Sequence, residues 1–95
     1  MRALQDTSLD AYYDIKPKLG EMQDRVLGVF YEAPFRQDWT NREIAAHLKL
    51  DVCHITPRIY ELRSMGLVEF SRKRFCAVTQ RRVLSWRLST TIRAR

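Results

Sequence analysis

Cysteine, enzyme motifs and long apolar runs are scarce in this 95-residue sequence, and each scarcity excludes a class of protein. The two cysteines, Cys53 and Cys76, are too few for a zinc site and lack ligand spacing with the two histidines. On count alone a disulfide between them stays open, and a reduced pair is the favoured alternative. No window approaches about 18 consecutive apolar residues, so we expect no membrane-spanning segment. The N-terminus has no apolar stretch and carries acids, unlike a secretory signal.

Catalytic motifs are absent as well. The sequence contains no glycine-rich phosphate loop, no H-E-x-x-H and no serine in an elbow setting. Cys53 and His54 are adjacent, so they are not placed to face one another as nucleophile and base. A thiol at a helix N-terminus is a candidate for redox control, and a buried or capping Cys53 is the alternative. We therefore expect no enzyme, no metal and no cofactor.

Acidic residues are scarce in the second half of the chain. The net charge is +6, but residues 1–50 hold 7 Lys/Arg against 8 Asp/Glu, a net of −1. Residues 51–95 hold 10 against 3, a net of +7, and no acid occurs from Ser71 to Arg95. A one-sided basic surface favours a polyanionic partner, because phosphates offset its self-repulsion and release counterions. The alternative is a solvated basic face that aids solubility.

Residues 39–66 contain the pattern around which the chain is organised. Thr40 followed by Glu43 predicts a capping box, and Ile44, Ala45 and Leu48 place one apolar stripe on a short helix. Apolar residues restart at helical spacing within 54–65, and Gly66 is expected to end that second helix in the left-handed conformation. Two short amphipathic helices so close together predict a helix-turn-helix.

These residues resemble a known family. T-x-x-E-I-A-x-x-L, followed by I-T-x-R-I-x-x-L-x-x-x-G-L-V-E, is similar to winged helix-turn-helix proteins that bind DNA. The continuation FSRKRFCAVTQRRVLSWRL resembles the wing of small phage- and prophage-type members. The resemblance covers about residues 20–88 and implies a mainly α fold, with a three-helix bundle and a small antiparallel β-hairpin. Pro57 stands where many relatives carry arginine or a polar residue, so that position lacks a donor.

The candidate DNA contacts lie on the second helix of the motif, on the wing and at one helix start. The helix at 54–65 is expected in the major groove, where its N-terminal residues read base edges. Arg58 is a candidate for guanine, and Thr56 or Pro57 for a thymine methyl; the alternative for Arg58 is an ion pair with Glu61. The wing, 71–82, is expected on the backbone or in the minor groove. The predicted set is Arg42, His54, Thr56, Pro57, Arg58, Arg63, Arg72, Lys73, Arg74, Arg81 and Arg82.

The domain organisation follows from these elements. Residues 19–88 form the expected winged-helix domain, with a first helix over 19–33 and strands beginning at 67 and 83. Residues 1–18 are read as an extension and 89–95 as a basic tail. Residues 4–15 are a candidate homodimer contact, since a dimer spans two half-sites; the alternative is a cover for the core.

The predicted function is sequence-specific binding of double-stranded DNA by a phage- or prophage-type transcriptional regulator. A winged helix that docks on host replication or transcription proteins is the alternative, and structured RNA is a third. A regulator of this type is expected in the cytoplasm, associated with the nucleoid.

Overall fold

In the part of the chain that the structure describes, a helical bundle is followed by a two-stranded antiparallel hairpin. The computed structural model describes residues 13–33 and 36–89. The helices are α1 (Glu21–Glu32), α2 (Asn41–Leu48) and α3 (Thr56–Ser64), and the strands are β1 (Val68–Phe75) and β2 (Arg82–Leu88). Two short 3-10 turns, Lys16–Lys18 and Val52–His54, precede α1 and α3. This architecture confirms the expected fold class. In the described residues no helix is both long enough and apolar enough to cross a membrane.

The core lies between the three helices and the base of the hairpin. α1 contributes an apolar stripe that includes Leu27 and Phe30, and Ile44 from α2 and Leu62 from α3 pack against it. Complete burial of each such aliphatic side chain contributes about 1.5–3 kcal/mol relative to exposure. Trp86 of β2 belongs to the same cluster at 6% exposure and thereby anchors the sheet against the helices.

α2 begins and ends through local hydrogen bonds that the sequence predicts in part. Thr40 Oγ1 accepts from the Glu43 N–H, and the Glu43 carboxylate accepts from the Thr40 N–H, which confirms the capping box. The helix ends at Lys49, whose φ of 59° is left-handed and whose N–H bonds back to the helix. This turn redirects the chain toward α3.

α3 starts later than the sequence pattern suggested. His54 lies in the 3-10 turn rather than in the helix, because Asp51 caps that turn by accepting from the Cys53 N–H at 3.0 Å. Thr56 and Pro57 are the first residues of α3, where the missing proline N–H costs no hydrogen bond. Gly66 follows the helix with φ of 78°, as expected.

The hairpin contains an irregularity that reverses its side-chain alternation. Phe70 pairs with Trp86, but Arg72 pairs with Ser85, so Ser71 is an extra residue in β1. A third short segment joins the sheet at Trp39, which exchanges two backbone hydrogen bonds with Trp86 at 2.9 and 2.7 Å. The sequence did not predict this bridge, which attaches the start of α2 directly to β2.

The terminal predictions lie largely outside the described residues. Of the proposed dimer segment 4–15, only residues 13–15 are described; they are helical, and Ile15 packs against the core. In the tail 89–95, Ser89 alone is described. The boundaries of the extension and tail stay predictions.

Gly66 provides a direct test of the helix stop. A Cβ built at Gly66 meets nothing within 4 Å, so Gly66→Ala introduces only the strain of a left-handed residue. We expect a loss of about 1 kcal/mol in the free energy of unfolding. Gly20→Ala is the matched control, since its φ is −68° and its Cβ makes ordinary contacts. Urea unfolding of both variants provides the measurement; equal effects would refute this reading of Gly66.

Candidate nucleic-acid interface

Arg74, in the basic stretch of the wing, points into the domain. Its Nε donates to Asp38 Oδ1 at 2.7 Å, and its two NH groups donate to both Glu43 carboxylate oxygens at 2.8 and 2.9 Å. The remaining donors reach the carbonyls of Asp38 and Phe75. A guanidinium has five N–H donors, and these contacts use all of them. Arg74 therefore has no donor left for a phosphate.

Glu43 holds this cluster together from the first turn of α2. Its side chain is 4% exposed and accepts from Arg74, Arg36 and the backbone N–H groups of Thr40 and Ala77. Burial raises the pKa of the Glu43 carboxyl, but the hydrogen bonds from Arg74, Ala77 and Thr40 outweigh burial and lower the pKa to about 2. The carboxylate thus stays ionised although it is buried.

Asp38 is the second buried acid of the cluster, and it pairs with a further arginine of the wing. Its Oδ2 accepts from Arg72 Nε at 2.7 Å and from Ser71 Oγ at 3.0 Å. Burial raises the pKa of Asp38, and the hydrogen bonds from Arg74, Arg72 and Ser71 lower it further than burial raises it. The same carboxylate therefore anchors the extra residue of β1 and both arginines beside it.

The turn of the hairpin, residues 76–81, is attached to the start of α2. Cys76 is fully buried, and its sulfur lies 3.0 Å from Thr40 Oγ1. The Ala77 N–H donates to Glu43 at 2.9 Å. The wing is consequently fixed to the helix-turn-helix rather than extended away from it.

The two faces of the hairpin carry different cations. Because paired residues share a face, the register places Arg72 and Arg74 with Ser85 and Val83, on the side of Asp38. Lys73 pairs with Leu84, and Arg82 pairs with Phe75, on the opposite face. β2 alternates, so this second face also carries Trp86. We call it the Trp86 face.

α3 borders the Trp86 face. The Arg63 guanidinium lies over the Trp86 ring, 4.7 Å from its centroid, a cation–π contact. Phe70 meets the same ring edge-on at 6.2 Å between centroids. Lys73 and Arg82 thus lie on the sheet face that α3 packs against, while Arg72 and Arg74 do not.

Arg58 is held in an ion pair within α3. Its Nε and NH2 donate to the two Glu61 carboxylate oxygens, both at 2.8 Å. Glu61 also accepts from Gln23 of α1 at 2.8 Å. The ion pair that the sequence left open as an alternative is therefore formed. It uses two of the five Arg58 donors and leaves the others available.

The predicted contacts fall into three groups. His54, Thr56 and Pro57 are exposed at the start of α3, Arg42 is exposed at the start of α2, and Arg58 and Arg63 follow along α3. Lys73 and Arg82 are exposed on the Trp86 face, and Arg81 is exposed in the turn. Arg72 and Arg74 form the third group, on the opposite face and paired with Asp38. The structure does not bring all five wing cations together.

Cys53 does not have the environment of an activated thiol. A hydrogen bond with Asp51 raises its pKa, and desolvation and the Asp51 charge act in the same direction. A raised pKa lowers the thiolate fraction, on which reactivity depends. Cys53 and Cys76 are both free thiols.

Comparison with known proteins supports the fold. No protein-family model matches the sequence, and no curated protein matches it. The chain is similar to two mutant forms of ZitR from Lactococcus lactis, at 29% and 28% identity, each with a TM-score of 0.57. The alignments cover 79% and 80% of this chain. The fold is a winged helix. The chain spans less than half of ZitR, 46% and 47% of its length.

Sequence reasoning missed Asp38 and Asn41 and saw only part of the role of Glu43. Glu43 was recognised as a cap, but its bonds to Arg74 and Ala77 join residues more than 30 positions apart. One feature of the sequence could have indicated this cluster. Asp38 and Glu43 flank Thr40, and they precede a stretch of basic residues that contains no acidic residue.

The lowered pKa of Glu43 predicts how stability depends on pH. The pKa of Glu43 in the folded protein, about 2, lies below its ordinary value of 4.5, so the contribution of this carboxylate to stability is complete above about pH 4.5 and is lost as pH falls toward 2. This lowering of the Glu43 pKa corresponds to about 3 kcal/mol in the free energy of unfolding. We expect Glu43→Gln to destabilise the protein by about that amount at pH 7, because Arg74 loses one of its two ionised partners and keeps only Asp38.

Denaturant unfolding of wild type and Glu43→Gln between pH 7 and pH 2 measures this effect. The difference in free energy should narrow as pH falls below about 4.5. Glu32→Gln is the matched control, because the Glu32 side chain is 61% exposed in its pair with His47, and it should change little at any pH. A difference that is constant with pH would contradict the assignment.

Proposed function

We propose that this chain is a DNA-binding transcription regulator that contacts the duplex through α3 and the Trp86 face. The observation that carries the proposal is the position of Lys73 and Arg82. Both are exposed on the same sheet face as the Trp86 ring, over which Arg63 of α3 lies, so helix and cations border one surface. The likeness to ZitR, a winged-helix transcription regulator, supports the general function.

In this proposal the start of α3 enters the major groove. His54, Thr56 and Pro57 are exposed there, and base edges are read by the first residues of such a helix. Within residues 13–33 and 36–89, Arg58 uses two of its five donors, both in its pair with Glu61, and the pair holds its plane in one orientation. An arginine with N–H donors remaining outside such a pair is a candidate for bidentate recognition of guanine.

Phosphate contacts supply most of the affinity. Lys73, Arg81 and Arg82 have no ion pair among residues 13–33 and 36–89, so their charge is available to the backbone or the minor groove. Arg42 adds an exposed cation at the start of α2, and a helix N-terminus is a favourable site for a phosphate. Arg72 and Arg74 are left out, because their charges are offset by Asp38 and Glu43.

A protein partner is the second candidate function. A groove of about 370 Å³ lies between α3 and β1, and it is lined in part by Tyr60, 67% exposed, and Phe70, 47% exposed. Exposed aromatic residues beside a groove favour a protein contact. The phage or prophage type, a nucleoid location and a homodimer through residues 4–15 stay predictions.

The salt dependence of binding to random duplex DNA distinguishes the two functions. We expect log K to fall steeply with log salt, since each neutralised phosphate contributes a slope of about −0.9. Lys73→Ala and Arg82→Ala should each reduce the steepness by about 1. Arg87→Ala is the control, because it removes the same charge from the opposite face, where Arg87 pairs with Glu69 at 2.8 Å. A flat salt dependence would contradict DNA binding and favour the protein partner.

A further inference from the structure

A chain of hydrogen bonds connects the core to the first residue of α3. The Trp86 indole N–H donates to Asn41 Oδ1 at 2.8 Å. Asn41 Nδ2 in turn donates to Thr56 Oγ1 at 3.2 Å. Three elements meet here, since these residues belong to β2, to the start of α2 and to the start of α3.

The chemistry of the three side chains determines which atom donates and which accepts in each of these hydrogen bonds. An indole N–H donates only, so it requires the carboxamide oxygen of Asn41 to face Trp86. The amide NH2 must then face Thr56, whose hydroxyl oxygen accepts. The usual ambiguity between the two ends of an asparagine side chain is thereby removed. The Thr56 hydroxyl hydrogen is left for another partner, and no described residue accepts it.

Trp86 is a rigid starting point for this chain. The residue is 6% exposed, its ring is covered by Arg63 and Phe70, and its backbone is paired with Trp39. Thr56, in contrast, is exposed beside Pro57 at the start of the helix. The buried end therefore sets the orientation of a hydroxyl at the surface.

Resting on the proposed function, we infer that Asn41 is a positioning residue that makes the Thr56 hydroxyl a donor to one base edge. In the major groove it then favours an acceptor: a purine N7, guanine O6 or thymine O4. It disfavours cytosine, which presents the N4 amino donor there. The sequence made Thr56 or Pro57 a candidate for contact with a thymine methyl; this inference adds a hydrogen bond from the Thr56 hydroxyl, whose direction Asn41 sets.

Three substitutions test this inference, with a random-sequence duplex pool as the probe. Thr56→Ser keeps the hydroxyl and should enrich the same bases as wild type. Thr56→Val keeps the shape without the hydroxyl and should lose about three- to tenfold of the preference at one position only, the value of one hydrogen bond. Sequencing the bound fraction provides each preference as a ratio within one pool.

Asn41→Asp separates positioning from a structural role. A carboxylate accepts from Trp86 and also from the Thr56 hydroxyl, which turns that hydroxyl round to present its oxygen. The preference at that position should then move toward bases with an amino donor, adenine N6 or cytosine N4. The added negative charge lowers affinity for all sequences alike, so the ratio is unaffected.

Two outcomes overturn the inference: Thr56→Val keeps the base preference, or a folded Asn41→Asp leaves it unchanged. If Asn41→Asp does not fold, the comparison of Thr56→Val with Thr56→Ser decides alone. A wild type that enriches no sequence also overturns it. In that case a steep salt dependence on random duplex still supports the proposed function, so the two failures are distinguishable.

Discussion

The buried ion cluster of Arg74 with Glu43 and Asp38 is the constraint on which the arrangement of the wing depends. Removing two carboxylates from water costs several kcal/mol for each ion unless every oxygen is paired. Here they accept hydrogen bonds from arginines, a serine and two backbone N–H groups. Because all five Arg74 donors are used, only one position of the hairpin against the helices allows Arg74 to make all of these hydrogen bonds. Loss of Arg74 would remove hydrogen bonds from both buried carboxylates and leave Arg72 and Arg36 as their cationic partners.

This constraint also decides which cations remain available outside the domain. Asp38 and Glu43 pair with Arg74, and Asp38 also accepts from the Nε of Arg72. Lys73 and Arg82 lie on the face that α3 borders and form no ion pair with any residue that the structure describes. A basic composition alone does not produce a basic surface on one side. The ion cluster neutralises the arginines on one face of the hairpin, so that the basic charge remains on the Trp86 face. The contact of Arg63 with the Trp86 ring connects that face to α3.

The parts of the fold that depend on neighbouring residues were predictable from sequence. The Thr40 capping box, the apolar stripes and the Gly66 stop all act within a few positions, and each is confirmed. The sorting of the wing was not predictable, because the extra residue Ser71 reverses the alternation between Phe70 and Arg72. Without that register, Arg74 and Lys73 are indistinguishable members of one basic run. Asn41 was missed because its partners are 15 and 45 positions away.

The most direct test of this account is an NMR titration of the protein with random-sequence duplex DNA, following backbone amides and arginine Nε–H signals together. The account predicts that amides at Thr56, Lys73 and Arg82 shift in the same titration. The chemical shift of the Arg74 Nε–H, which donates to Asp38, should stay unchanged. A shift of the Arg74 signal while Lys73 and Arg82 stay unchanged would contradict the sorting of the wing by the ion cluster.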